Sequence, residues 1–554
     1  MSRLGSALAA IVAFAVVGRS IAVVRLPRIF ADHMILQSGQ PLPIWGWAEP
    51  REKITVRFAD QQKSTVADST GQWELKLDPL AATAAPRELI VRGSNTVTFT
   101  DVVVGEVWIA SGQSNMALPV FAAHNATETL AAANDPLLRF FTVQHATAAE
   151  PQTDLGGKWE LANPASAKNF SAAAYFFARE LRAKLACPVA ILHSSWGGTS
   201  AQTWLSLDAL RKNPPFTAHL KQWEEALAQH RAVLADPARA VTYKQDLKQW
   251  QKDVAPAFNS MMKDYNAANS PGPKPVPARP EPINPDPIGM PSPSARPSVP
   301  SVIYNAQIAP LAPYAIRGAL WYQGEANGAA GVEYRTLLPR LIGDWRARWG
   351  QGDFPFLIVQ LPGWNHDTRA AEFHDWPWLR EAQALTAQHV PHTALAVTID
   401  LGNPNDVHPK DKLDVGHRLA LLARRLVYGE LIVASGPVFR GVTFDGPSAR
   451  ITFDEAGFGF AISEAPWRAD GVVPLPTDRL LGFALAGPDR EWHDADGRIE
   501  GDGVIISSSA VTAPVAVRYA WANSPRCNLY NRDGLPVAPF RSDDWPLPTL
   551  PNKK

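Results

Sequence analysis

The chain has 554 residues. A single compact core rarely grows beyond roughly 250 to 300 residues, so at least two domains are expected. Apolar residues make up 46% of the chain and charged residues 19%, a composition that excludes global disorder. Lys plus Arg and Asp plus Glu number 53 each, so the net charge gives no reason to bind nucleic acid or an acidic membrane surface. A neutral partner is expected.

The first residues of the chain resemble a secretory signal peptide. Arg3 precedes an apolar run over residues 4–18, which is shorter than the roughly 20 residues of a membrane span. Residues 1–23 are therefore predicted to be removed on export, leaving a periplasmic or secreted protein with no membrane span. Cys187 and Cys527 are the only cysteines, so one disulfide at most can form.

Residues 24–104 carry short runs with period-two alternation, separated by turns. The runs are Leu42–Trp47, Lys53–Phe58, Trp73–Leu77, Glu88–Arg92 and Asn95–Thr100. This spacing is typical of a β-sandwich, which we predict as the N-terminal domain.

From residue 105 the pattern changes to buried strands alternating with helices, such as the helix predicted over 172–185. This alternation predicts an α/β fold with a parallel sheet, whose first part covers residues 105–205. A polar helical stretch over 217–254 and a proline-rich tract over 271–300 indicate an insertion at 206–300. The insertion is either a surface loop or a wall of the substrate cleft.

The α/β pattern resumes over residues 301–430 with apolar runs that begin near Ala319, Phe356 and Ala394. A helix is predicted from Pro409 to about Tyr428. Short alternating runs return over 431–554 and predict a C-terminal β-rich region, which either forms a second β unit or completes the first.

Ser114 lies in the segment Trp108-Ile-Ala-Ser-Gly-Gln-Ser-Asn-Met116, where an apolar strand ends in a glycine-containing turn. Parallel α/β sheets place their sites at such strand ends. Ser114 is thus a candidate nucleophile, and the simpler alternative is a helix cap. Ser111 is a turn or cap candidate. Because Met116 replaces the second glycine of the G-x-S-x-G elbow, the segment does not match α/β-hydrolases.

A serine nucleophile needs a histidine base and a carboxylate that orients the histidine. His408 stands out among the 13 histidines because it lies in a polar loop between an apolar strand and a helix. Asp406 is close enough in sequence to lie near the imidazole, although it can equally serve only to form the turn.

Two more clusters follow predicted strands. In Leu320-Trp-Tyr-Gln-Gly-Glu-Ala-Asn327, the Gln323 amide can donate to an oxyanion, and Glu325 can orient the histidine, bind a sugar or pair with an arginine. In His193-Ser-Ser-Trp-Gly-Gly-Thr-Ser200, Gly197 and Gly198 allow backbone N–H groups to approach a substrate closely. All these clusters are expected at one edge of the sheet.

The sequence is identified as resembling the sialate O-acetylesterase family of SGNH-type hydrolases. The matching blocks are Ser-Gly-Gln-Ser-Asn-Met, Ser-Trp-Gly-Gly-Thr, Trp-Tyr-Gln-Gly-Glu and Asp-Val-His-Pro, and further similarity lies near both ends, over 29–37 and 515–531. The resemblance implies a three-layer α/β/α domain flanked by β-sandwich parts, no metal or cofactor, and hydrolysis of acetyl esters on an oligosaccharide or polysaccharide.

The resemblance also implies site roles. Ser114 is the nucleophile and His408 the base, and the oxyanion hole consists of the Ser114 N–H, the N–H of Gly197 or Gly198, and the Gln323 side chain. The general SGNH pattern has an aspartate three residues before the histidine, where this chain has Asn405. The third member of the triad therefore stays open between Asp406 and Glu325.

Two rival functions follow from other residues. The 19 tryptophans, among them Trp364, Trp376 and Trp378, suit a non-catalytic carbohydrate-binding protein, or more simply a core. A metal-dependent deacetylase would need ligands such as His366 with Asp367 or His374 with Asp375, and neither pair has a recognisable ligand spacing. The substrate is expected to be a plant cell-wall glycan such as xyloglucan or xylan, or an O-acetyl sialic acid.

Overall fold

A computed structural model describes residues 23–216, 299–365, 375–463 and 478–546, with isolated positions between 220 and 260. Residues 1–22 of the predicted signal peptide, the proline-rich tract up to residue 298, and His366, Asp367 and His374 lie outside the described residues. The described positions between 220 and 260 are helical, as the pattern there predicts.

The strands of the N-terminal and central parts follow one another along the chain to residue 396. They are β1 (Ile35–Gln37), β2 (Leu42–Trp47), β3 (Lys53–Phe58), β4 (Gln61–Val66), β5 (Gln72–Leu77), β6 (Thr83–Arg92), β7 (Thr96–Gly112), β8 (Asp135–Val143), β9 (Gly157–Ala162), β10 (Val189–Ser195), β11 (Gly318–Tyr322), β12 (Phe356–Val359) and β13 (Thr393–Ala396). The central sheet has the order β13-β12-β11-β7-β10-β8-β9, in which neighbours are parallel except β8 and β9.

The helices of the described chain pack mainly against this sheet. They are α1 (Ser114–Ala117), α2 (Ala126–Ala131), α3 (Pro164–Lys168), α4 (Ala172–Leu185), α5 (Leu207–Arg211), α6 (Gly331–Trp349), α7 (Asp375–His389) and α8 (Lys412–Leu426). Successive side chains of a strand point to opposite faces. Accordingly Ile109 of β7 shares a hydrophobic cluster with α6 and α7, while Trp108 shares one with α4 and α8. The parallel sheet thus carries helices on both faces, as the α/β pattern predicts.

One long strand joins the N-terminal β part to the central sheet. The first half of β7 pairs with β6, Val103 to Gly105 pair with β1, and Glu106 to Gly112 pair with β10. The predicted boundary between residues 104 and 105 therefore falls inside a continuous strand. Strand β4 was not predicted, because all its residues except Val66 are polar and no apolar alternation marks it.

The C-terminal strands form a second β unit of their own. They are β14 (Val438–Asp445), β15 (Ser448–Asp454), β16 (Phe460–Ile462), β17 (Phe483–Ala486), β18 (Trp492–Asp494), β19 (Asp496–Glu500), β20 (Gly503–Ser507), β21 (Ala516–Tyr519), β22 (Leu529–Asn531) and β23 (Phe540–Arg541). Antiparallel sheets of order β14-β15-β20-β19 and β18-β17-β21-β23 share a core with Val397 and Ile399, which follow β13. The unit is thereby attached next to the loop that carries His408.

Helix α8 begins at Lys412, three residues later than predicted from Pro409. Asp411 is its N-cap, with a side chain that accepts a hydrogen bond of 3.0 Å from the Asp414 amide. Gly416, Leu419 and Ala423 are buried on the side of α8 that packs against the core. The side chains of Cys187 and Cys527 are free thiols. No helix in the described ranges is long and apolar enough to cross a membrane.

Candidate active site

Three strands of the central sheet end at the same level. Ser195 at the end of β10 and Tyr322 at the end of β11 both lie opposite Gly112, the last residue of β7. Because the strands are parallel, the residues that follow them emerge at one edge of the sheet. This register brings the Ser114, Gly197 and Gln323 segments together.

The turn before Ser114 requires glycine. Gly112 has φ of 137°, and a Cβ atom there would lie 2.1 Å from the carbonyl oxygen of Tyr322. The next amide, that of Gln113, donates to this carbonyl at 3.0 Å. The chain therefore crosses over the end of β11 and places Ser114, half-buried, as the first residue of α1. Ser111 is not a cap, because it lies buried within β7.

Gly197 packs directly against Ser114. A Cβ atom at Gly197 would lie 3.3 Å from Cβ of Ser114. The preceding residue is fixed, because the Trp196 amide donates to the Gly112 carbonyl at 3.0 Å. By contrast, the amide hydrogens of Ser114, Gly197 and Gly198 have no acceptor within the described residues. These unpaired donors belong to the residues that follow β7 and β10 at the same edge of the sheet.

Gln323 is buried, and its geometry argues against the predicted oxyanion role. Its Nε2 donates to Gln113 Oε1, Thr199 O and Asn327 Oδ1 at 3.1, 3.2 and 2.8 Å, and its Oε1 accepts from the Tyr334 hydroxyl at 2.7 Å. An amide whose hydrogens are already donated has none for a substrate. Gln323 instead ties together the segments that follow β7, β10 and β11.

Asn115 links the serine segment to the histidine loop, and the sequence reasoning did not single it out. Its Nδ2 donates at 2.9 Å to the backbone carbonyl of Val407, the residue before His408, and also to Oε1 of Glu325. Its Oδ1 accepts from Nζ of Lys412 at 2.6 Å. The only sequence signal was the position of Asn115 directly after the candidate nucleophile.

Lys412 is a second residue that sequence reasoning missed. Its side chain is fully buried at the start of α8, with Nζ 4.9 Å from the centre of the Tyr322 ring. Burial lowers the pKa of Lys412 to about 7, although nearby Glu325, Asp411 and Asp406 favour its charged form. From sequence alone, a lysine in the first turn of a helix is expected to have a side chain exposed to solvent.

Glu325 lies three residues after the end of β11 and accepts a hydrogen bond from Asn115. Burial raises the pKa of its carboxyl group, against the lowering effects of the Asn115 hydrogen bond and the Lys412 charge. Its Oε2 is buried and has no hydrogen-bond partner within the described residues. None of its hydrogen bonds joins it to His408, so Glu325 supports Asn115 and does not orient the imidazole in this structure.

His408 and Asp406 lie together in a loop at the mouth of the site. Nδ1 of His408 is 3.6 Å from Oδ1 of Asp406, and the two side chains are 39% and 40% exposed. The same Oδ1 accepts the His408 backbone amide at 2.9 Å, which holds the loop in a tight turn. Within the described chain, Ser114 and His408 are brought to one edge but no hydrogen bond joins their side chains.

The residues of the two rival functions are placed as follows. Trp376 and Trp378 are buried, packed against Trp364 and Trp521 at ring-centre distances of 5.1 and 5.4 Å. They are core residues and do not form an exposed sugar platform. Among the described residues, no group of three or more His, Cys, Asp or Glu side chains is placed to hold a metal ion.

The chain resembles known carbohydrate esterases in sequence and structure. A family model described as a sialic acid-specific acetylesterase, a carbohydrate esterase, matches residues 300–424. The sialate O-acetylesterase of Mus musculus is 28% identical over 92% of each chain, and that of Homo sapiens is 26% identical over 90% of this chain and 88% of its own. The crystal structure of a carbohydrate acetylesterase from Xanthomonas citri matches with a TM-score of 0.73 and 36% identity, covering 94% of this chain and 100% of that one.

The protein is a carbohydrate esterase, as its relatives and its parallel α/β sheet with this site at the edge show. The alternative of a non-catalytic carbohydrate-binding protein is therefore rejected. The chain belongs to the sialate O-acetylesterase family. The family resemblance carried by the sequence motifs is thus confirmed, and the enzyme acts on O-acetylated carbohydrate.

Proposed function

We propose that the protein is a serine esterase that removes acetyl groups through an acetyl-enzyme formed on Ser114. The observation that carries the proposal is the hydrogen bond from Asn115 to the carbonyl of Val407. It holds the residue after Ser114 against the residue before His408, so the hydroxyl and the imidazole share one edge of the sheet. The fold we assign to this domain is of the SGNH type, flanked by β-sandwich parts.

In the first half-reaction, His408 takes the proton of the Ser114 hydroxyl as Oγ attacks the acetyl carbonyl carbon. The carbonyl oxygen gains negative charge, which the unpaired amides of Ser114 and of Gly197 or Gly198 stabilise. His408 then gives its proton to the departing sugar oxygen. Hydrogen bonds of this kind are often open in an enzyme without substrate and close when it binds.

In the second half-reaction, His408 takes a proton from water, and the resulting hydroxide attacks the acetyl-Ser114 ester. The tetrahedral intermediate collapses to acetate, and the proton returns to Ser114. Of the two candidate carboxylates, the geometry favours Asp406 as the group that orients His408, because its oxygen lies 3.6 Å from Nδ1. Glu325 supports the site through Asn115.

For the substrate, we favour a neutral acetylated plant cell-wall glycan over an O-acetyl sialic acid, because the chain has no net positive charge to attract an anionic sugar. The signal-like N-terminus supports a periplasmic or secreted site of action, in the degradation of polysaccharide. Acetate release from acetylated xyloglucan, acetylxylan and O-acetylated sialosides, measured side by side, tests the choice. A sialoside turned over faster than both glycans would contradict it.

Labelling tests the serine mechanism separately. A fluorophosphonate should modify one serine, and peptide mass spectrometry should locate the adduct on Ser114. A protein that releases acetate but takes no label, or takes it at another serine, would contradict the proposed nucleophile.

A further inference from the structure

A second cleft lies far from Ser114, between the N-terminal β part and the catalytic part. It has a volume of about 330 Å³, within the range of small-molecule sites, and is lined on one side by β2 and β5 and on the other by residues such as Arg348. Helix α6 begins near the active-site edge and has Arg348 in its last turn. At 1.5 Å per residue the cleft is roughly 25 Å from that edge.

Two tryptophans form one wall of the cleft. Trp45 and Trp47 are two residues apart on β2, so they lie on the same face of the strand, roughly 7 Å apart. Trp45 is fixed by an edge-to-face contact with Phe30 at a ring-centre distance of 4.6 Å. The guanidinium of Arg25 stacks 4.0 Å from the centre of the Trp47 ring. The indoles are therefore rigid and half-buried, which suits stacking against the apolar faces of sugar rings.

Polar groups stand directly beside the indoles. Glu74 pairs with Trp45 across the two strands, and Gln72 pairs with Trp47. Both polar side chains are exposed, and neither makes a hydrogen bond within the described residues. An amide and a carboxylate next to an aromatic surface can form hydrogen bonds with the hydroxyl groups of a sugar whose ring stacks on that surface.

The charges at the cleft favour a neutral sugar over an anionic one. Glu74 and Asp68 contribute two carboxyl groups, and Arg348 is the guanidinium among the lining residues. Hydrogen bonds from the Thr70 side chain and the Gln72 backbone amide lower the pKa of Asp68. This carboxyl group is therefore ionised at neutral pH. With the Arg25 guanidinium that stacks on Trp47, the two carboxyl groups balance two positive charges, so the cleft has no excess positive charge to attract a sialic acid carboxylate.

We propose that this cleft is an accessory binding site for neutral oligosaccharide chains, which holds a polymer while another part of it is deacetylated at Ser114. The choice of a neutral ligand rests on the substrate class proposed above.

Calorimetric titration tests the proposal. Wild-type protein and the variants Trp47→Ala and Glu74→Ala are each titrated with acetyl-free cellohexaose, xylohexaose, a xyloglucan oligosaccharide and sialyllactose. Phe458→Ala is the matched control, because Phe458 is a 77% exposed aromatic residue in the C-terminal unit.

Wild-type protein should bind at least one neutral oligosaccharide more tightly than sialyllactose, and Trp47→Ala should weaken that binding by roughly tenfold. Glu74→Ala, which removes only an exposed side chain, should weaken it several-fold. Phe458→Ala should bind as the wild type does. For all three variants, kcat/KM on an aryl acetate should stay unchanged, while Trp47→Ala should lower kcat/KM on acetylated polymer.

The inference is overturned if wild-type protein binds no neutral oligosaccharide, if it prefers sialyllactose, or if both cleft variants bind as the wild type does. These failures leave the proposed function intact where the enzyme still releases acetate from a neutral glycan. Conversely, binding in the cleft without acetate release from any neutral glycan would overturn the proposed substrate.

Discussion

The side-chain amide of Asn115 donates a hydrogen bond of 2.9 Å to the backbone carbonyl of Val407, across 292 residues of sequence. The contact fixes the histidine loop relative to the serine turn. The same side chain accepts from Lys412 and donates to Glu325, so one residue joins three segments.

Replacing Asn115 with alanine should lower kcat by roughly a hundredfold, because a displacement of about 1 Å between nucleophile and base is enough for such a loss. KM on an aryl acetate should change little, since Asn115 acts through the position of His408. The matched control is Asn305→Ala, which also removes a buried asparagine bonded to backbone carbonyls, those of Ala148 and Ala149. Wild-type kcat in Asn115→Ala would contradict the linking role.

Asp406→Asn and Glu325→Gln separate the two candidate carboxylates. Asp406→Asn should lower kcat by roughly a hundredfold or more, because an amide cannot stabilise the imidazolium form of His408. Glu325→Gln keeps an oxygen for Asn115 and should change kcat only a few-fold. Both are measured on an aryl acetate at saturating concentration. The opposite ranking would assign the orienting role to Glu325.

Gly197→Ala should lower kcat by about tenfold or more, because the new Cβ would lie 3.3 Å from Cβ of Ser114 and displace the nucleophile or the neighbouring amides. Gly343→Ala is the matched control. Gly343 lies within α6, and a Cβ there meets no atom within 4 Å. This control should keep full activity and raise the free energy of unfolding by roughly 0.5 to 1 kcal/mol. Equal activity in the two variants would show that the space beside Ser114 does not matter.

The lowered pKa of buried Lys412 should make the free energy of unfolding depend on pH. Below pH about 7, Lys412 is charged in both the folded and unfolded states, and above that pH the folded protein loses the proton that the unfolded chain keeps until about 10.5. The unfolded state then binds more protons, so stability rises with pH through this window. The denaturation temperature of wild type relative to Lys412→Met should therefore increase between pH 6.5 and 9. A constant difference would mean that the Lys412 pKa is not lowered.

The strand ends of the site were predictable because each is a local pattern. An apolar run that ends in glycine or polar residues indicates the end of a parallel strand. Ser114, Gly197 and Gln323 all lie just after such runs. Helix α4 was predicted with its observed bounds for the same reason, since its apolar residues repeat within one segment.

The support beneath the site was not predictable from local patterns. Asn115 and Lys412 are polar residues that are buried against distant parts of the chain. Asn115 contacts Glu325 and Val407, and Lys412 contacts Asn115, each across more than 200 residues of sequence. Gln323 was expected to donate to substrate because its type and position allow it. Only the folded structure shows that its hydrogens are already donated to Gln113, Thr199 and Asn327.

The central claim is that Ser114 is the nucleophile, and the turnover of Ser114→Ala on an aryl acetate tests it most directly. The variant should fold as the wild type does, because Ser114 Oγ makes no hydrogen bond within the described residues. Its kcat should fall by roughly a thousandfold or more, leaving only the residual rate from binding and the oxyanion donors. A folded Ser114→Ala protein with wild-type kcat would contradict the account.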